Sequence, residues 1–139
     1  MICGEYIHTL DSKNRLTLPA RLREQLGEQV VITKSVDKCL SLYSSKAWQT
    51  FTDKLNALPN MQTRNVRRFL FASAFETQVD SQGRILIPPQ LCQYAEIGKN
   101  VRIAGVGDHA EIWNEELWNS EQSAENAAEI AETLIGLGF

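Results

Sequence analysis

The sequence predicts a mixed α+β protein in which one small module is written twice and the two copies complete each other about a pseudo-two-fold axis. Three observations carry this expectation. A loop motif recurs, D-S-K-N-R at 11–15 and D-S-Q-G-R at 80–84. Each is followed by an apolar run ending in proline, L-T-L-P to Pro19 and I-L-I-P to Pro88. The register also persists: Asp11, Ser12, Arg15, Leu18, Pro19 and Leu22 recur 69 residues later as Asp80, Ser81, Arg84, Ile87, Pro88 and Leu91, and Trp48 answers Trp118 at an offset of 70. A strand–loop–strand–helix unit of this size cannot bury a core alone, so the copies are expected to share one sheet.

Each element follows from local chemistry. Residues 6–10 and 75–79 read as short strands, and 16–18 and 85–87 as their return strands. Between them the D-S-x-x-R stretch is a tight hairpin loop. Its aspartate can accept from its own backbone two residues on, and Asn14 and Gly83 are residue types that tolerate positive φ. Pro19 and Pro88 suit the first helical position, where a missing N–H costs nothing. Leu18, Leu22 and Leu26 recur every fourth residue and give the first helix one apolar side. Strands are expected at 30–34, 40–43, 101–104 and 111–113. Ser44 or Ser45 is placed to cap a helix carrying Trp48, Phe51, Leu55 and Leu58. Residues 63–72 read as a helix with Val66, Leu70 and Phe69 inward and Arg64, Arg67 and Arg68 outward. A last acidic helix, with a weak stripe at Ala127, Ile130, Ala131, Leu134 and Ile135, ends at Gly136. The expected organisation is a first module at 4–49, linking helices at 50–72, a second module at 73–119 and an acidic tail at 120–139.

Composition narrows the function classes. With 43% hydrophobic and 22% charged residues, the chain can bury a core. No apolar stretch reaches the ~20 residues that span a bilayer, and M-I-C-G-E-Y has neither a basic region nor an apolar signal core, so a cytoplasmic location is expected. Cys3, Cys39 and Cys92 are scattered, with no C-x-x-C pair, and His8 and His109 lie far apart; no metal site is expected. The net charge of −3 hides an asymmetry: residues 1–70 hold 11 Lys+Arg and 6 Asp+Glu, residues 71–139 hold 3 and 11. The basic half suits phosphate, and the acidic half must face elsewhere.

The doubled D-x-x-x-R loop with its following proline, the G-E-Y opening and the tryptophan that ends each copy resemble the MraZ family, bacterial regulators built of two SpoVT-AbrB modules. The resemblance runs from Gly4 to about Trp118. It implies AbrB-like swapped-hairpin modules with a β-barrel-like core and surrounding helices. It further implies a transcriptional repressor of double-stranded promoter DNA, binding repeats upstream of its own division and cell-wall operon. The expected partners are that DNA and further copies of the chain in a ring, at the nucleoid, with no membrane, cofactor or small-molecule substrate. Multivalent assembly turns weak single contacts into useful affinity.

The resemblance places DNA contacts in the loops, at Arg15 and Arg84. Lys13 adds a phosphate contact in the first loop; the second has Gln82 there, so the first is expected to hold DNA more tightly. From loop chemistry alone, each arginine suits either a nucleic-acid contact or an ion pair with its own aspartate. Asp11 and Asp80, which repel phosphate, are expected to build the loops and orient the arginines, together with Asn14 and Gly83. Arg21 and Arg23 either flank the DNA face or form the wet side of their helix. The tryptophans are expected in the core. Two rival readings are an antitoxin that binds a protein partner, and a hydrolase using Asp11 and Asp80; no nucleophile, histidine or glycine-rich phosphate loop accompanies the carboxylates.

Overall fold

The order β-β-α-β-β-α is spelled twice. The first round is β1 (Ile2–Thr9), β2 (Arg15–Thr17), α1 (Ala20–Leu26), β3 (Gln29–Lys34), β4 (Leu40–Ser44) and α2 (Ser45–Asn56). A linking helix α3 (Asn60–Phe71) follows. The second round is β5 (Phe75–Gln78), β6 (Arg84–Leu86), α4 (Pro89–Tyr94), β7 (Asn100–Gly107), β8 (Ala110–Asn114) and α5 (Glu115–Glu121), and α6 (Ala124–Gly136) ends the chain. The structure is a computed structural model that describes all 139 residues.

Six strands form one antiparallel sheet in the order β1-β7-β8-β4-β3-β5, and β2 with β6 forms a separate two-stranded ribbon. Exchanging the copies (β1 with β5, β3 with β7, β4 with β8) maps this order onto its own reverse. The sheet therefore has the pseudo-two-fold symmetry expected from the repeat, with its axis between β4 and β8 at the pair Ser41↔Glu111. Each copy's first strand pairs in the other copy: β1 lies on β7 from Ile2↔Gly107 to Thr9↔Asn100, and β5 lies on β3 from Gln29↔Gln78 to Ile32↔Phe75.

The sheet is open, which corrects the expectation of a barrel-like core. Closure requires the two end strands to pair, but β1 and β5 stand at opposite ends of the row and hydrogen-bond only inward. The ribbon covers the core instead. Alternation along each strand assigns the two faces. Val30, Ile32, Leu40, Leu42, Val101, Ile103, Ala110 and Ile112 point to one side and are buried with Leu16 and Ile85 of the ribbon, Leu22 and Leu26 of α1, and Leu91 and Ala95. The opposite side meets α2, α3 and α5. There Tyr43 packs against Trp48 and Phe51, Trp48 meets Phe71 edge-on, and Trp113 meets Trp118. Trp113 is buried, as expected for a core residue, while Trp48 and Trp118 pack on aromatic neighbours but stay half-buried.

Several boundaries move. Pro19 and Pro88 stand one residue earlier than expected, at the caps of α1 and α4, with extended ψ values of 144° and 145°. Ser44 caps α2 by accepting from the Ala47 N–H at 3.1 Å. Leu58 lies beyond that helix and is exposed. On α3 the inward face is Thr63, Arg67 and Leu70, so Val66 is exposed and Arg67 is not. Val66, three residues after Thr63 and four before Leu70, falls at the edge of that face and is left 43% exposed. The stem of Arg67 packs while its Nη2 reaches the Leu55 carbonyl at 3.5 Å. No helix is long and apolar enough to cross a membrane.

The join between β1 and β7 is unusually close at Gly105, which faces Gly4. A Cβ on Gly105 would stand 2.5 Å from the Cys3 amide nitrogen and 2.6 Å from its Cα, contacts with backbone that cannot turn aside. Gly105→Ala is therefore expected to force β1 from its place and cost about 1–3 kcal/mol. Urea unfolding should show a lower midpoint with an unchanged slope; an unmoved midpoint would show that the join yields freely.

Candidate nucleic-acid interface

The two loops are built alike, atom for atom. In the first, Asp11 Oδ1 accepts from the backbone N–H groups of Lys13 and Arg15, each at 2.9 Å, and Oδ2 accepts from Arg15 Nε at 2.9 Å. In the second, Asp80 Oδ1 accepts from Gln82 and Arg84 N–H at 2.9 Å, and Oδ2 accepts from Arg84 Nε at 2.9 Å. Asn14 and Gly83 turn the chain at φ 58° and 79°, the left-handed region expected for that position. Each turn is closed by an N–H from that residue to the aspartate carbonyl, at 3.1 and 3.0 Å.

The loops are also fastened to each other. Leu18 N–H donates to the Gly83 carbonyl at 2.9 Å, and Ile87 N–H donates to the Asn14 carbonyl at 2.8 Å. Between them β2 and β6 pair as Arg15↔Leu86, Leu16↔Ile85 and Thr17↔Arg84. Leu16 and Ile85 point inward and are buried, so Arg15, Thr17, Arg84 and Leu86 share the outer face. Arg15 and Arg84 stand diagonally on that face, a relation that separates residues by about 7–8 Å. Their side chains are 32% and 24% exposed.

Both of the roles considered for the arginines meet in this geometry. Each arginine is paired with its own aspartate, but only through Nε. Nη1 and Nη2 of both have no acceptor within the chain. A guanidinium so held presents a fixed pair of donor groups, which matches a phosphate oxygen or a guanine edge. The ion pairs are half-exposed, so their part is to aim the arginines more than to stabilise the fold. Lys13 is exposed at the tip of the first loop, and its ammonium has no hydrogen-bond or ion-pair partner within the chain.

Two residues around the loops were not assigned from the sequence. Lys99 of the second copy adjoins the first loop, where its carbonyl accepts from Leu10 N–H at 2.8 Å. Glu28 occupies the equivalent place at the second loop, accepting from Val79 N–H at 2.8 Å. The offset of 71 between them is the only signal the sequence holds. Arg23 is not on the wet side of α1: it lies over Gly83 in the other copy's loop. Arg21 is exposed. Charge is thereby traded between the halves, since a lysine of the acidic half adjoins the first loop and an arginine of the basic half covers the second. No cluster of three or more His, Cys, Asp or Glu side chains is placed to hold a metal ion.

A duplicated α+β fold with two matched arginine hairpins on one exposed ribbon defines a tandem-repeat protein whose cationic groups are displayed in pairs. Comparison with known proteins agrees on the duplication. The family model described as "MraZ protein, putative antitoxin-like" matches residues 1–69 and again 70–137. The chain is 45% identical to a protein of Carboxydothermus hydrogenoformans over 97% of both chains. It is 46% identical to one of Caldicellulosiruptor saccharolyticus and 43% identical to one of Leuconostoc citreum, each over the full length of both. All three relatives are named transcriptional regulator MraZ. The chain belongs to the MraZ family.

The loop amides of Arg15 and Arg84 hold the carboxyls of Asp11 and Asp80 below the usual carboxylate range, with help from the guanidinium groups. A depressed folded value means that the stabilisation is present above the unfolded value of about 3.9 and is lost as the pH falls through the folded one. Thermal melting of the wild type should therefore decline with acid below about pH 4. Asp11→Asn, which keeps an oxygen for the amides but loses the charge, should melt lower at pH 7 and show a shallower acid decline. Parallel curves for the two proteins would remove the Asp11 charge from the account.

Proposed function

We propose that this protein is a transcriptional repressor that binds double-stranded DNA through its paired D-x-x-x-R hairpins. The observation that carries the reading is the common outer face of the ribbon, on which Arg15 and Arg84 are aimed by identical aspartate clamps with their Nη groups unpartnered. Asp11, Asn14, Asp80 and Gly83 build and orient the loops; Lys13 adds a phosphate contact. The exchanged strands support reading each copy as an AbrB-type swapped hairpin. The relatives' names support regulation of transcription; the place of action proposed with it is the cytoplasm, at the nucleoid. The target is taken to be repeats upstream of the protein's own division and cell-wall operon, occluded by a homo-oligomeric ring that sets several ribbons along the DNA. No cofactor and no catalysis are involved.

A second reading, an antitoxin-like contact with a protein partner, is favoured by α6. That helix buries none of its residues and leaves Ile130, Leu134 and Ile135 exposed beside Glu125, Glu129 and Glu132. Recovery of a stoichiometric foreign protein with the full chain, abolished by Ile135→Glu, would favour that reading over DNA.

Fluorescence anisotropy with labelled duplex from just upstream of the gene tests the first reading. Arg15→Ala should weaken binding at least about tenfold, since each charge-assisted contact is worth about 1.5–3 kcal/mol. Wild-type affinity should fall steeply with salt as counterions are released. Arg84→Ala should cost less, because Lys13 and Lys99 adjoin the first loop only. Equal binding of upstream and scrambled duplexes, or an Arg15→Ala protein that folds and binds like wild type, would overturn the assignment.

A further inference from the structure

Three arginines bury Nε with no hydrogen-bond partner: Arg23, Arg67 and Arg102. Two of them are satisfied at their tips. Arg102 donates Nη1 to Glu5 at 2.8 Å and Nη2 to Glu115 at 3.0 Å, and Arg67 donates Nη2 to the Leu55 carbonyl. Arg23 has no acceptor for any of its nitrogens and no carboxylate within ion-pair distance.

It is nevertheless held in place. A Cβ built on Gly83 would stand 2.2 Å from Arg23 Nη1, 2.6 Å from Cζ and 3.0 Å from Cδ. The side chain thus runs flat along the backbone of the second loop, and Gly83 is buried beneath it while its counterpart Asn14 is not. The second copy offers nothing similar, for the residue 69 positions after Arg23 is Cys92, a buried thiol that donates to the Ile87 carbonyl at 3.7 Å. Nε is buried, but Nη1 and Nη2 are neither buried nor bonded, so the charged end of this fixed side chain is open to an external anion. The local charge points the same way. The second loop has Gln82 where the first has Lys13, and Glu28 where the first has Lys99. Without Arg23, Arg84 alone would face phosphate beside two carboxylates.

We propose that Arg23 is a phosphate-backbone contact of the second hairpin, supplied by the first copy across the repeat boundary. The assignment rests on the DNA-binding reading above and adds a third arginine to it. The two hairpins then engage DNA with unlike pairs, Lys13 with Arg15 and Arg23 with Arg84. A backbone contact positions the protein without reading sequence, so Arg23 contributes equally on any duplex.

The test is anisotropy over a series of salt concentrations with wild type, Arg23→Gln and Arg15→Ala, on the upstream duplex and on a scrambled one. Glutamine keeps a polar stem over Gly83 and removes the charge. Arg23→Gln should weaken both duplexes by the same factor, about tenfold, and lower the slope of log affinity against log salt by about 0.9 for each phosphate no longer neutralised. A folded Arg23→Gln with wild-type affinity and slope, beside an Arg15→Ala that no longer binds, would leave the DNA reading standing and sink this one. Weakening confined to the upstream duplex would make Arg23 a base or loop-shape contact and also overturn the assignment. Failure of the wild type to bind either duplex would remove both readings. A second measurement needs no variant: hydroxyphenylglyoxal modification of the wild type, mapped by mass spectrometry. Duplex should slow modification of Arg23 and spare the rate at exposed Arg64; an Arg23 rate indifferent to duplex would count against the contact.

Discussion

Each hairpin of this protein closes its own turn but cannot complete its strand hydrogen bonds alone. The return strands β2 and β6 are three residues each and find their continuous ladder in one another, with a single bridge from Leu16 back to Leu10. The residues that lead out of them, Leu18 and Ile87, donate to the turning residues of the opposite loop. A short strand pair is marginal in water without further packing. Here Leu16 and Ile85 are driven under the ribbon into the common core. The sheet obeys the same constraint, because β1 and β5 are each completed by the other copy. Folding of one copy therefore requires the other, and the two cannot act as separable domains.

This constraint brings the arginines together. Residues 69 apart in the chain become diagonal neighbours on one face because the ribbon pairs about Leu16↔Ile85. The aspartates fix each guanidinium by Nε alone and leave its outer edge free. Glu5 joins the copies in the same manner on the other side of the sheet, accepting from Arg102 Nη1 and from Trp118 Nε1 at 2.9 Å. Interlocking also undoes the division of charge along the chain. The field at each loop is set by residues from both halves, so a half-by-half sum of charges does not describe either surface.

Much of this was legible in one dimension. The doubled motif announced the symmetry, and aspartate two residues before a free amide announced the turn, because those bonds are local. The outward side of α3 was misjudged: Val66 looks like core by type, yet Thr63, Arg67 and Leu70 fall on the packed face, and a long aliphatic stem let Arg67 be buried there. The barrel-like closure failed for a different reason. It came from the family resemblance, whereas closure depends on the order in which the copies interleave, and that order leaves β1 and β5 at opposite ends of the row.

The sequence by itself determined the repeat, the two loops with their clamped arginines, the apolar stripe of α1 and the charge to be distributed. These depend on contacts within a few residues, where spacing and side-chain chemistry suffice. Only the tertiary structure decided that β1 completes β7 and β5 completes β3, that the sheet stays open, and that Arg23 and Lys99 each lie against the loop of the other copy. Those outcomes depend on which surfaces meet when two incomplete modules bury a single core, and the residues that meet are far apart in the chain.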